Sequence, residues 1–186
     1  MKFIATGDFY TDLAMRESSM NHMVINQFGF LGLYQFGEHA LQELNFYTKK
    51  EGIVSNSYYQ NNNWDGTWLG KYGVNSKEDF LNNIDVQEII VREYHELIWT
   101  KKLNDYHKYV NKQINGINLT KNGMIAASHL VGSNSVKKFI DSEGRLIQKD
   151  RLNTSIIDYL QLFANTTGDY STDINKFYQK LNIQKN

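Results

Sequence analysis

The chain has 186 residues, 41% hydrophobic and 22% charged, with Lys+Arg 20 against Asp+Glu 20. These values suit one globular domain over 1–186 and exclude an overall field that would draw the chain to nucleic acid or anionic lipid, while leaving room for a local basic patch. With no cysteine in the sequence, disulfides, thiolate catalysis and cysteine-ligated zinc are excluded.

From the amino terminus, MKFIATGDFYTDLAM has few apolar residues before Asp8. It lacks the apolar core of a signal peptide, and no later run reaches the length of a membrane span. Asp8 or Thr6 can cap a first helix running to about Ser19, with Phe9, Leu13 and Met20 on its apolar side and Ala14 beside them. In VINQFGFLGLYQF, residues 24–36, glycines and aromatics recur at short intervals, which predicts a small hairpin or irregular loop. GEHALQELNFY resumes helical spacing through Ala40, Leu41 and Leu44. Residues 48–75 form a polar stretch of a length that is often functional in compact domains.

A short helix is expected from Ser76, then a long one over DVQEIIVREYHELIWTKKL, with a broad apolar face that includes Val86, Ile90 and Ile98. INGINLT reads as a brief extended piece. Thr120 reads as the cap of KNGMIAASHLVG, a nearly apolar helix expected at the buried centre. Further helices are expected near 134–141, 154–163 and 172–182. The predicted class is α+β, mainly α-helical, with one small β element near the front.

Glu17 stands out. Residues 9, 13 and 17 share a helix face, so Glu17 continues the stripe of Phe9 and Leu13. Desolvation there, together with the carbonyl end of the helix dipole, should raise its pKa, as a general acid at neutral pH requires. By position alone, a surface glutamate near a frayed helix end is the commoner case.

Five blocks in order strengthen the reading: Glu17-Ser18, Gly32 to Gly37 (GLYQFG), Trp68 to Gly73 (WLGKYG), Gly123 to Gly132 (GMIAASHLVG) and Thr154 to Leu160. They resemble the ordered motifs of the lysozyme-like lytic transglycosylases, of the SLT and goose-lysozyme type, and more closely a bacterial and phage peptidoglycan-degrading group of that type. The resemblance spans nearly the whole chain. It implies a lysozyme-like fold with a small β-hairpin, Glu17 as the catalytic acid, and a catalytic cleft against which the helix of the fourth block lies. Where the better-known family has Ala-Tyr-Asn, this chain has Ala127-Ser128-His129, so a role for that tyrosine or asparagine does not carry over; Tyr34 or Tyr94 could replace it.

Other candidates follow. Ser18 accompanies Glu17. Strand-like alternation would aim Gln35 opposite the rings of Tyr34 and Phe36, either as a polar finger toward sugar or Glu17, or as an amide on a wet hairpin face. In the aromatic loop, Tyr59 and Trp64 are candidates for sugar contact and Trp68 for an anchor to the core. His129, in a very apolar helix, is either a hydrogen-bonded core histidine or a site residue. NNNWDG fails as a calcium loop because Tyr72 holds its twelfth position, and HELIW fails as a zinc helix because Trp99 stands where a second histidine is needed. No metal or cofactor is expected.

Hydrolysis of a glycosidic bond generally uses two carboxyl groups. Neither Asp8 nor Asp12 shares the face of Glu17, while Glu38 and Asp65 cannot be placed from sequence. The resemblance implies a route with one acid. Glu17 would protonate the bridging oxygen between N-acetylmuramic acid and N-acetylglucosamine, then accept the proton of the muramic 6-hydroxyl as it attacks C1. Hydrolytic muramidase and a non-catalytic glycan-binding component of a phage or secretion apparatus are the alternatives. The expected partners are peptidoglycan glycan strands, with an immunity or inhibitor protein or delivery machinery besides, and neither nucleic acid nor membrane insertion. The place of action would be the periplasm or cell wall, reached by phage or a specialised secretion system.

Overall fold

A computed structural model describes residues 5–50 and 61–183. The fold is α+β and mainly α-helical, with two small two-stranded antiparallel sheets among the described residues. Its contacts divide the described chain into two compact units. Unit 1 runs over Thr11–Tyr94 and from Tyr170 onward; unit 2 comprises Ala5–Tyr10 and His95–Asp169.

Unit 1 contains most of helix α1 (Phe9–Ser18), then α2 (Glu38–Glu43), strands β1 (Tyr47–Thr48) and β2 (Thr67–Trp68), α3 (Lys77–Asn82), most of α4 (Ile84–Leu97) and α8 (Ile174–Lys180). Ser76 caps α3 as expected, its hydroxyl accepting the Asp79 N–H at 3.0 Å. Asn83 Oδ1 accepts the Val86 N–H at 3.1 Å at the head of α4. The apolar face of α4 forms the core, with Val86, Ile89, Ile90 and Val91 all at 0% exposure. Helix α8 is pinned to α4 through Glu93, which accepts from Lys71 Nζ at 2.8 Å and the Tyr178 hydroxyl at 2.7 Å, and also from Tyr72. Ile89, Ile174 and Tyr178 pack together beneath that junction.

Of the small hairpin or irregular loop expected at 24–36, the structure has the irregular loop. Isolated bridges link Ile25 to Leu31 and Leu31 to Phe36, and positive φ at Gly29, Gly32 and Gln35 turns the chain repeatedly. The first sheet instead pairs Tyr47 with Trp68 and Thr48 with Thr67.

Unit 2 is built on α5 (Lys121–Val131), packed against α6 (Ser133–Asp141) and α7 (Ile156–Leu162). Thr120 caps α5 by accepting the Gly123 N–H at 3.1 Å, and Met124 to Ser128 are buried, as the nearly apolar sequence predicts. A Cβ at Gly123 would lie 2.6 Å from the Leu160 carbonyl, so this glycine lets α5 and α7 touch. The long helix expected over 85–103 ends at Leu97 and passes into a π-helical turn, Ile98–Lys102. A 3₁₀ turn, Asn104–Tyr109, leads to the second sheet, where β3 (Gln113–Ile114) pairs with β4 (Ile117–Asn118). Asn115 and Gly116 at its tip have φ 49 and 75, the conformation favoured in tight two-residue hairpins.

Candidate functional site

In unit 1, Leu13 and Ala14 are buried, Met15 and Arg16 are exposed and Glu17 is half-buried. Glu17 thus continues the inward side of α1, as its spacing from Leu13 predicts. The Ser18 hydroxyl turns back to donate to the Ala14 carbonyl at 3.1 Å. Ser19 and Met20 then adopt φ 54 and 65, with N–H groups bonded to the Met15 and Ala14 carbonyls at 3.1 and 3.2 Å. Left-handed backbone costs a non-glycine residue roughly 1–2 kcal/mol, and strain of this kind collects at functional sites. The turn also carries Met20, expected on the apolar side of the helix, out to 46% exposure.

The segment after α1 is folded onto α4 by one side chain. Gln87, fully buried, accepts the Leu33 N–H at 2.7 Å and donates to the carbonyls of His22 at 3.1 Å and Phe80 at 2.9 Å. A Cβ on Gly32 would stand 2.4 Å from Gln87 Oε1, so close approach as well as positive φ demands glycine there. Gln35 is half-buried and its amide donates to the Gly32 carbonyl at 2.9 Å. That amide closes its own turn, because the left-handed residue breaks the extended alternation expected at 34–36. Tyr34, expected to touch substrate, is 1% exposed and donates its hydroxyl to Glu88 at 3.0 Å. A buried ring with a committed hydroxyl positions the turn and offers no surface to a ligand. Tyr94 is half-buried edge-on to Phe36 at 5.9 Å, and burial, with the charge of Glu43, keeps its hydroxyl protonated well above the usual tyrosine range.

A second polar junction holds the aromatic loop. Glu38, 6% exposed, accepts the Trp64 N–H at 2.6 Å and the Tyr47 hydroxyl at 3.3 Å, with Lys49 Nζ at 3.5 Å. Asn62 bridges the Phe28 carbonyl and the Glu38 N–H. Trp64 sits at φ 60, its indole N–H donating to the Gly29 carbonyl at 2.7 Å. Its ring stacks on Trp68 at 5.4 Å and 19°. Trp68 in turn packs on Tyr47 and Phe80, the anchoring role expected of it. Trp64 is half-buried, as is Trp68, and Asn63, Asp65 and Thr67 beside it are exposed. With its N–H occupied, Trp64 can offer a ligand only the face and edge of the ring. Tyr59 lies outside the described residues.

The two carboxylates expected to be hard to place now differ in surroundings. Glu38 is committed to the loop, whereas Asp65 faces solvent. Burial pushes the Tyr47 hydroxyl, which also accepts the Gly66 N–H, up to about 12, opposed by that N–H and reinforced by Glu38.

His129 belongs to unit 2. It is half-buried in the last turn of α5, and its Nδ1 is hydrogen-bonded to Nε2 of His95 across 3.1 Å. His95 is fully buried and bonds through Nδ1 to the Tyr10 hydroxyl at 3.2 Å. Ser128, where the resembled family has a tyrosine, is buried with its Oγ unpaired. Glu17, Ser18, Tyr34, Gln35 and Trp64 thus share unit 1, and His129 does not.

Sequence reading missed Gln87, and it named Glu38 and His95 (the histidine of HELIW) without finding their partners. The available signal was a polar side chain within an otherwise buried stretch, which must find partners. Among the described residues, no group of three or more His, Cys, Asp or Glu is placed to hold a metal ion. In comparisons with protein-family models, curated proteins and solved structures, no match to this chain was found.

Proposed function

We propose that this protein cleaves the β-1,4 bond between N-acetylmuramic acid and N-acetylglucosamine in peptidoglycan, as a lytic transglycosylase with Glu17 as its general acid and base. One observation carries the reading. Glu17 is half-buried at the end of α1, and the strained left-handed pair Ser19-Met20 follows directly. In the same unit, the Gln87-held turn would serve as a frame and the half-buried Trp64 ring as a sugar-stacking surface. Glu38, bonded to Trp64 and Tyr47, is not available as a second catalytic carboxylate, which favours a reaction needing one acid.

In that reaction the Glu17 carboxyl gives its proton to the bridging oxygen as the bond to C1 breaks. The carboxylate then takes the proton of the muramic 6-hydroxyl while that oxygen bonds to C1, closing a 1,6-anhydro ring. The nucleophile is part of the substrate and needs no second protein group to bring it close.

Glu17→Gln keeps size and hydrogen bonding but has no proton to give. The expected result is loss of sacculus digestion by about 10²–10⁴-fold with an unchanged circular dichroism spectrum; digestion at the parent rate would remove Glu17 from the mechanism. The exposed Asp65 beside Trp64 is what favours hydrolytic muramidase as the second reading. Mass spectrometry of the digest separates the two, anhydro ends marking transglycosylase and reducing ends hydrolase. Retained glycan binding without any digestion would mark a binding component.

A further inference from the structure

The balanced total charge hides a segregation. Between Trp99 and Lys138 the sequence has seven lysines and a single acid, Asp105, so the rest of the chain carries the opposite excess. All of this stretch lies in unit 2.

Part of the surplus surrounds two rings. Tyr106 and Tyr109, on the 3₁₀ turn, have centroids 5.8 Å apart. The ammonium groups of Lys108 and Lys112 stand 5.5 and 5.4 Å from the Tyr109 centroid, and that of Lys137 on α6 stands 5.8 Å from Tyr106. Lys108 and Lys112 are exposed, Lys137 is half-buried, and none of the three has a carboxylate partner among the described residues. Asp141 accepts the Tyr106 hydroxyl at 2.7 Å.

Next to these rings the chain makes a hooked turn after α6. Lys149 bridges to Ser155, the Ile156 N–H donates to the Gln148 carbonyl at 2.9 Å, and Asp150 Oδ1 accepts the N–H groups of Leu152 and Thr154 at 2.9 and 2.7 Å. Leu152 lies on this turn at 62% exposure, with Leu146 and Ile147 on the segment leading into it at 50% and 43%, and Arg145, Lys149 and Arg151 alternate there with Glu143 and Asp150. Asn115, at the tip of the β3–β4 hairpin, donates to the Gly144 carbonyl at 3.3 Å, and Tyr106 reaches Asp141 at the end of α6. The lysine–tyrosine patch and the apolar hook therefore adjoin.

Single exposed apolar side chains are ordinary. Three within residues 146–152, in a stretch from Tyr106 to Leu152 where lysines and arginines outnumber acids, form a surface with a combined chemistry. We propose that this face of unit 2 docks peripherally on an anionic lipid surface. Lysine and arginine side chains meet lipid phosphates, Tyr106 and Tyr109 lie at headgroup level, and Leu146, Ile147 and Leu152 enter the acyl boundary. A polyanion alone would use the lysines and leave the three apolar side chains without a role. The docking lies on the bilayer and does not span it: among the described residues no helix is long and apolar enough to cross a membrane.

The test is co-sedimentation of the full chain with vesicles of mixed phosphatidylglycerol and phosphatidylcholine, against vesicles of phosphatidylcholine alone. Binding is expected to the mixed vesicles only, weakening as salt rises. The combined Lys108→Gln, Lys112→Gln and Lys137→Gln variant should lower partitioning by about a hundredfold. The combined Leu146→Asn, Ile147→Asn and Leu152→Asn variant should lower it by a similar factor, both with a parental circular dichroism spectrum. If either combined variant fails to fold, Leu152→Asn alone, at the most exposed position, should lose about tenfold. No binding to phosphatidylglycerol vesicles, equal binding to phosphatidylcholine, or a loss with the lysine variant but none with the apolar one overturns the proposal. That last outcome would make the face a polyanion site.

Discussion

Two carboxylates of unit 1 are put to different uses by what surrounds them. Glu38 is nearly closed off from solvent and holds Trp64, Tyr47 and Lys49. Glu38→Ala should leave buried donors unmatched and destabilise the protein by about 2–4 kcal/mol, read from urea denaturation. It should also shift the emission of the stacked Trp64–Trp68 pair, whereas Glu38→Gln should retain part of both properties. Glu17 is half-buried at a strained helix end, so Glu17→Gln should change activity far more than stability. Its inward placement was legible in the residue 9, 13, 17 spacing. The burial of Tyr34 was not, because a tyrosine in an aromatic run reads equally as core or as cleft, and only the Glu88 acceptor across the unit separates the two.

At the scale of elements, the helix caps are local and therefore readable. Ser76 and Thr120 each bond the N–H of the residue three positions on. Thr120→Ala is expected to cost about 1 kcal/mol, seen as a lower urea midpoint with an unchanged slope. Gly123→Ala should cost more than that cap, since its methyl would meet the Leu160 carbonyl at 2.6 Å and push α5 from α7; thermal unfolding of the pair of variants ranks them. The hairpin at Asn115-Gly116 was present in the sequence as a dipeptide that favours such turns, although INGINLT alone suggested only an extended piece. Segment 24–36 went the other way. Its glycines and aromatics left a hairpin and an irregular loop both open, and two left-handed glycines and Gln35 give the loop, with turns that need Gln87 from a distant helix to hold them.

At the scale of the whole molecule, several tyrosines link folding to alkaline pH. Tyr47 is raised by burial from 10.0 to about 12; Tyr72 and Tyr178 are raised too, by burial first and then by their bonds to Glu93. A folded-state value above the unfolded one means that the fold binds the proton more tightly. This stability is complete below about pH 10 and declines as pH climbs through about 12. Ultraviolet titration of tyrosinate should therefore show a lagging fraction that is released together with unfolding, and urea midpoints should fall over the same window. Class, helix order and caps, and the half-buried position of Glu17 followed from the sequence, because periodicity and capping act within a few residues. Only the tertiary structure decided which polar groups meet: Gln87 with the 32–33 turn, Glu38 with Trp64, His95 with His129, and Lys137 of α6 with the Tyr106 ring. These pairings join residues far apart in the chain, and a buried polar atom's partner is set by packing in three dimensions.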